Sequence, residues 1–123
     1  GNVYNGRLSA LYANCALFVL PSSVEGLPIV LIEAMKHKAP ALASDIPENM
    51  EILDGDHHSR QLGLSFNNKD FDSLLRMIRF GLSHPQRLKR LAENACDYVN
   101  KEYNWQPIVK KTEQVYLQAL DLL

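Results

Sequence analysis

The sequence alternates three short apolar runs with segments patterned as helices, and this alternation limits the fold more than any other feature. The runs cover residues 16–20, 39–43 and 62–66, and polar or proline turn residues follow each of them. Apolar runs of this length are typical of buried strands. Strands that alternate with helices indicate βαβ units and a parallel sheet. The sequence therefore predicts an α/β fold that forms half of a doubly wound sheet, with about three parallel strands flanked by helices.

Helical spacing of apolar residues fills the remainder of the chain. Shorter helices are predicted over residues 8–15, 28–37 and 47–53. The second half reads as helical to its end, with one helix over residues 71–82 and another that starts at Pro85. A last helix follows the break at residues 104–107. The predicted sheet thus carries a helical C-terminus.

Composition excludes several classes of protein. The 123 residues suffice for one domain or a part of one, and 13 Lys and Arg balance 14 Asp and Glu, which predicts no nucleic-acid partner. The longest apolar run is about five residues, too short to span a membrane. Cys15 and Cys96 form no CxxC motif and are expected to be core thiols, as in a reducing, cytoplasmic setting.

A turn and a helix start follow the first predicted strand. Ligands of doubly wound sheets bind beyond the carboxyl ends of the strands, which places residues 21–28 at the expected ligand edge. Gly26 lets the backbone approach a ligand closely. Pro28 suits the first helical position and has no N–H, so the free donors of the first turn are expected at Ile29, Val30 and Leu31. Such donors suit an anion such as a diphosphate.

Two carboxylates flank this predicted anion site. Glu25 lies in the turn, and Glu33 lies five residues past Pro28, about 7 to 8 Å along the helix axis. Each can accept charge-assisted hydrogen bonds from hydroxyl groups. A nucleotide sugar carries hydroxyls on both sides of its diphosphate, so the pair fits a donor of that class.

The segment P-S-S-x-E-G-L-P-x-x-x-x-E-A-M over residues 21–35 resembles the nucleotide-sugar signature of the family 4 (group 1) glycosyltransferases. The resemblance extends to residues 11–20, to residues 40–51 and to Asn104-Trp105. It implies retaining enzymes of the GT-B fold, whose donor domain is a Rossmann-like unit. It also implies glycosyl transfer, as in polysaccharide biosynthesis, from a UDP-, GDP- or ADP-sugar to a glycan or lipid acceptor, with no cofactor and no metal.

The resemblance also assigns roles to single residues. Glu25 matches the catalytic-site glutamate that faces the hydroxyls of the donor sugar, and Glu33 matches the one that binds the ribose. The backbone expected to meet the sugar and diphosphate matches Gly26, Leu27, Ile29, Val30 and Leu31. Ser22 and Ser23 match positions near the nucleotide.

The resemblance covers only part of such an enzyme. Residues 1–123 are expected to form the C-terminal half of the donor-binding domain, without the acceptor domain and the first strands. We expect this chain alone to be inactive, and we expect any peripheral contact with the inner face of a membrane to use the absent domain. Lys38 stands where the family usually has glycine, which would cost about 1 to 2 kcal/mol if the site is left-handed.

Plainer interpretations remain open beside these. Glu25 could stabilise a helix start, and Glu33 could pair with Lys36 or His37. His57-His58 is predicted to be a solvated turn rather than a metal site, and the basic run at residues 87–90 a solvated face. A different class of function is a non-catalytic binding or assembly module, which would form a homodimer through an exposed edge of the sheet.

Overall fold

The computed structural model describes residues 3–55 and 60–121, and within these it contains six helices and three strands. The helices are α1 Gly6–Asn14, α2 Ile29–Lys36, α3 Pro47–Leu53, α4 Phe71–Ser83, α5 Pro85–Glu102 and α6 Trp105–Asp121. The strands are β1 Phe18–Leu20, β2 Ala41–Ser44 and β3 Leu64–Phe66. All three predicted strands and all six predicted helices are confirmed.

The three strands form one parallel sheet, as the alternation predicted, and their order across the sheet is β1-β2-β3. Phe18 is opposite Ala41, and Leu42 is opposite Leu64. β2 begins one residue after Pro40, which has no N–H to donate to a neighbouring strand. β3 starts two residues later than predicted, because the Leu62 N–H donates to Leu53 O at the end of α3 (2.9 Å).

Apolar clusters cover both faces of the sheet. On one face Ala41 and Ala43 pack with α2, α3 and the C-terminal half of α5, around Leu31 and Val99. On the other face Leu42, Leu64 and Phe66 pack with α4 and the N-terminal half of α5. Burial of alternate residues of β2 on opposite faces explains why this strand reads as a continuous apolar run.

The last helix, α6, contributes no residue to either apolar cluster of the described chain. Every residue of α6 whose side chain is described is exposed, including Trp105 at 72%. No helix among the described residues is long and apolar enough to cross a membrane. Of the two thiols, Cys96 is buried as predicted, whereas Cys15 is half-buried.

Candidate functional site

The loops that follow the three strands meet at one edge of the sheet, because all three strands run in the same direction. Two hydrogen bonds join the loops after β2 and β3: the Asp45 N–H donates to Phe66 O at 2.9 Å, and the Asn68 N–H donates to Asp45 Oδ1 at 2.7 Å. The loop after β1 joins them, since Ser23 Oγ donates to Asn68 Oδ1 at 3.4 Å. This edge is the predicted ligand edge.

Glu25 is fixed within the loop after β1. The carboxylate of Glu25 is half-buried, and its Oε1 accepts a hydrogen bond from Ser22 Oγ at 2.5 Å. The carbonyl of Ser22 in turn accepts a hydrogen bond from Ser44 Oγ at the end of β2. α2 has no acidic residue in its first turn, so Glu25 is not placed as a stabiliser of the helix start. The predicted neighbours Ser22 and Glu25 therefore form one unit tied to the sheet.

A buried amide completes this unit. Asn49 of α3 is fully buried, and its Nδ2 donates to Ser44 O at 3.1 Å and to Ser44 Oγ at 3.0 Å. Asn49 Oδ1 has no hydrogen-bond partner among residues 3–55 and 60–121. Neither Ser44 nor Asn49 belongs to the site predicted from the sequence. The sequence offered one clue to their role: Ser44 is a polar residue in an otherwise apolar strand, and Asn49 is a polar residue on an otherwise apolar helix face.

The start of α2 differs from the prediction. Pro28 is the N-cap rather than the first helical residue, and the helix begins at Ile29. The Ile29 N–H donates to Leu27 O at 2.8 Å, and the Leu31 N–H donates to Pro28 O at 3.0 Å. The expectation of three free donors is therefore wrong for Ile29 and Leu31. The N–H of Val30 has no backbone acceptor in the described part of the chain.

The side chains around this helix start divide into two kinds. Leu27, Ile29 and Val30 are exposed at 57%, 59% and 42%, as is Gly26. Leu31 is fully buried in the core, so only its backbone could face a ligand. Addition of a Cβ at Gly26 would meet no atom within 4 Å, which leaves the backbone there open to close approach.

Glu33 lies on the exposed face of α2. Neither of its proposed ion pairs is present: Lys36 Nζ donates to Tyr103 O at 3.3 Å, and the His37 ring stacks on Tyr12. Burial of the Tyr12 phenol, and next the charge of Glu33, raise the pKa of Tyr12. Glu33 therefore contributes a carboxylate without an ion pair in the described residues.

A metal site is not assembled in the described ranges, where no three His, Cys, Asp or Glu side chains form a cluster that could hold an ion. The predicted turn at His57-His58 lies outside the described residues.

Comparison with known proteins agrees with this architecture. The sequence model of the family described as "Glycosyl transferases group 1" matches residues 1–97. The chain is 28% identical over 114 residues to the MMP alpha-(1->4)-mannosyltransferase of Mycolicibacterium hassiacum, covering 93% of the chain and 27% of that protein. It is 30% identical over 120 residues to a glycogen synthase of Mycobacterium tuberculosis, covering 97% and 28%.

A solved structure shares the fold. Sucrose-phosphate synthase from Thermosynechococcus elongatus superposes with a TM-score of 0.83 at 25% identity, over 95% of this chain and 28% of that one. The chain thus spans little more than a quarter of the length of these similar proteins.

Proposed function

The chain belongs to the group 1 glycosyltransferases, and we propose that the protein it contributes to transfers a sugar from a nucleotide-sugar donor to a glycan or lipid acceptor. The transfer retains the anomeric configuration. Within that protein, residues 1–123 supply part of the donor site. Because the similar proteins are more than three times longer, the chain alone is expected to bind the donor without turning it over.

The unit of Ser22, Glu25 and Ser44 is the observation that carries this proposal. A free glutamate on a loop would lose side-chain entropy on binding a sugar. Here the Ser22 hydroxyl occupies one oxygen of the carboxylate and fixes its direction, while the other oxygen has no hydrogen-bond partner in the described residues. That oxygen would accept a hydroxyl of the donor sugar in a charge-assisted hydrogen bond. Glu25 would thereby hold the sugar at the reacting centre.

The rest of the donor would follow α2. The N–H of Val30 and the positive end of the helix dipole would face the diphosphate, whose negative charge increases as the sugar leaves. Glu33, exposed one turn further along α2, would accept the ribose hydroxyls. Gly26 and Leu27 would lie against the sugar, and Ser22 and Ser23 near the nucleotide.

Calorimetric titration with UDP-, GDP- and ADP-sugars tests this proposal. We expect one of the three to bind, and we expect Glu25→Gln and Glu33→Gln each to weaken that binding about tenfold to a hundredfold, the range for a hydrogen bond to a charged group. The matched control is Glu93→Gln, which removes the same charge from an exposed position on α5. Absence of binding by all three donors, or equal affinity of the three variants, would contradict the proposed site.

A homodimeric assembly module is the second candidate. In the described residues β1 pairs with β2 alone, so its other edge presents unpaired backbone groups. Phe18, Val19 and Leu20 are only half-buried, in contrast to the fully buried β2. This function predicts a dimer by light scattering, and a monomer at every concentration measured would refute it.

A further inference from the structure

A relay of hydrogen bonds connects the buried helix α3 to the Glu25 carboxylate. Asn49 Nδ2 donates to Ser44 O at 3.1 Å and to Ser44 Oγ at 3.0 Å. The Ser44 hydroxyl donates to Ser22 O, and the Ser22 hydroxyl donates to Glu25 Oε1 at 2.5 Å. The relay therefore consists of Asn49, Ser44, Ser22 and Glu25, and it crosses from α3 over the end of β2 to the loop after β1.

Asn49 sets the direction of the bonds in this relay. A hydroxyl group carries a single proton, and a carbonyl oxygen only accepts. Because Ser44 Oγ accepts a hydrogen bond from Asn49, its own proton is directed to Ser22 O. Rotation of the Asn49 amide by a half turn would bring its Oδ1 against the Ser44 carbonyl, where two acceptors would repel each other. The amide is thus held in the orientation that directs the Ser44 proton to the loop.

The two ends of the relay differ in burial. Asn49 and Ser44 are both 0% exposed, so the core fixes this end of the relay. The loop after β1 is open to solvent, since Val24 is 84% exposed. Within the described residues, the other side-chain hydrogen bond from this loop to a neighbouring loop joins Ser23 Oγ to Asn68 Oδ1 and is weak at 3.4 Å. The bond from Ser44 is therefore the stronger of the two contacts that hold the loop of Glu25.

The packing of α3 does not explain the Asn49 amide. The other buried side chains of this helix, Ile52 and Leu53, are apolar. Asn49 Oδ1 is buried and accepts no hydrogen bond from the described residues. An unpartnered buried acceptor destabilises a fold, and each one calls for a physical explanation. Departures of this kind from the packing rules concentrate at functional sites, which points to a role for Asn49 at the adjacent Glu25.

We propose that Asn49 is a positioning residue for the donor sugar, which acts through Ser44 and Ser22 on the direction of the Glu25 carboxylate. This inference rests on the proposed function, in which Glu25 accepts a hydroxyl of the sugar. Asn49 is fully buried and does not touch the donor itself. Without its two N–H donors, the Ser44 hydroxyl is free to turn away from Ser22 O. The loop then gains conformational freedom, which donor binding must remove at the expense of affinity.

A double-mutant cycle on donor affinity tests the proposal. Asn49→Leu keeps the branched shape of the side chain and removes both donated bonds. We expect it to weaken binding of the UDP-, GDP- or ADP-sugar that the unchanged chain binds by about fivefold to tenfold. In the Glu25→Ala background the same substitution should change the affinity by less than about twofold, because no carboxylate is left to position. If circular dichroism shows that Asn49→Leu is unfolded, Ser44→Ala interrupts the relay at its next bond and takes its place in the cycle.

The matched control is Ile52→Val, which removes one methylene group from a buried position of the same helix and leaves the relay intact. Its donor affinity should equal that of the unchanged chain. An equal loss of affinity with and without the Glu25 carboxylate would assign Asn49 a structural role only and overturn the proposal. Unchanged affinity in Asn49→Leu would also overturn it, and a loss in Glu25→Ala alone would leave the proposed donor role of Glu25 standing.

NMR relaxation tests the relay in the absence of a donor. The backbone order parameters of residues 22–26 should fall in Asn49→Leu, whereas those of β2 should stay the same. Ile52→Val should leave both sets unchanged. Equal order parameters of residues 22–26 in all three chains would overturn the proposal whether or not a donor binds. A fall in these order parameters together with absence of donor binding would refute the proposed function and, with it, the positioning role of Asn49.

Discussion

Replacement of Lys38 by glycine is expected to stabilise the protein. Lys38 has a φ of 58°, in the left-handed region that non-glycine residues rarely adopt. The Lys38 N–H donates to Met35 O at 3.0 Å, and the Ala39 N–H donates to Ala34 O at 3.0 Å. These two bonds form a Schellman motif, in which glycine is the commonest residue at the position of Lys38. Ala34 and Ala39 are both buried, so the core holds the motif in place.

The magnitude follows from two opposing terms. The left-handed conformation costs an L-residue about 1 to 2 kcal/mol. Glycine removes this cost but adds about 0.5 to 1 kcal/mol of chain entropy that folding must overcome. The net gain in the free energy of unfolding is therefore about 0.5 to 1 kcal/mol. With a urea m value in the usual range for a small protein, the midpoint rises by about 0.5 M.

Urea unfolding followed by circular dichroism measures this gain. Lys38→Ala is the matched control, because it removes the ammonium group and its stem but keeps the strained backbone. We expect the midpoint of Lys38→Ala to equal that of the unchanged chain. Equal stabilisation by both variants would assign the effect to charge and refute the conformational argument. A lower midpoint for Lys38→Gly would show that the left-handed turn carries no strain here.

Two further predictions concern the core and one thiol. Gly63→Ala should lower the free energy of unfolding by about 1 to 3 kcal/mol, because the new Cβ would lie 2.5 Å from Leu53 Cδ2 and 3.0 Å from Ala41 O. The control Gly26→Ala places its Cβ in open space and should unfold at the same urea concentration as the unchanged chain. Equal urea midpoints for the two variants would contradict the clash at Gly63. Burial raises the pKa of the Cys15 thiol above its ordinary 9.0. Because the thiol then ionises more readily in the unfolded chain, the free energy of unfolding should decrease as the pH rises past about 9. Iodoacetamide should modify Cys15 more slowly in the folded chain than in urea, and equal rates would count against the raised pKa.

The strands were predictable because their signal is local. A run such as residues 16–20 is too short for a helix and ends at a proline, which leaves few alternatives. Parallel pairing followed from the helices between the runs. The ends of β2 and β3 were less predictable, since they depend on which acceptor each backbone N–H bonds to. Leu62, for example, bonds to α3 rather than to a strand.

The candidate site was only partly predictable for a related reason. Glu25, Glu33 and the adjoining glycine and serine residues form a compact motif in sequence, and the motif alone located them. Ser44 contacts this motif at Ser22, more than twenty residues away in sequence, and Asn49 contacts Ser44. No local pattern specifies such a contact. The donors of α2 were mispredicted because Pro28 takes the N-cap position, where its carbonyl accepts from Leu31.

The sequence by itself determined the order of strands and helices, the family, and the residues that follow β1, because apolar periodicity and turn residues act over a few positions. The sequence left the backbone conformation of Lys38 undecided, and its φ of 58° shows that the turn is left-handed there. Only the tertiary structure decided how the Glu25 carboxylate is held and which faces of α4 and α5 pack against the sheet. Both depend on helices and loops that are distant in sequence and come together only when the sheet packs.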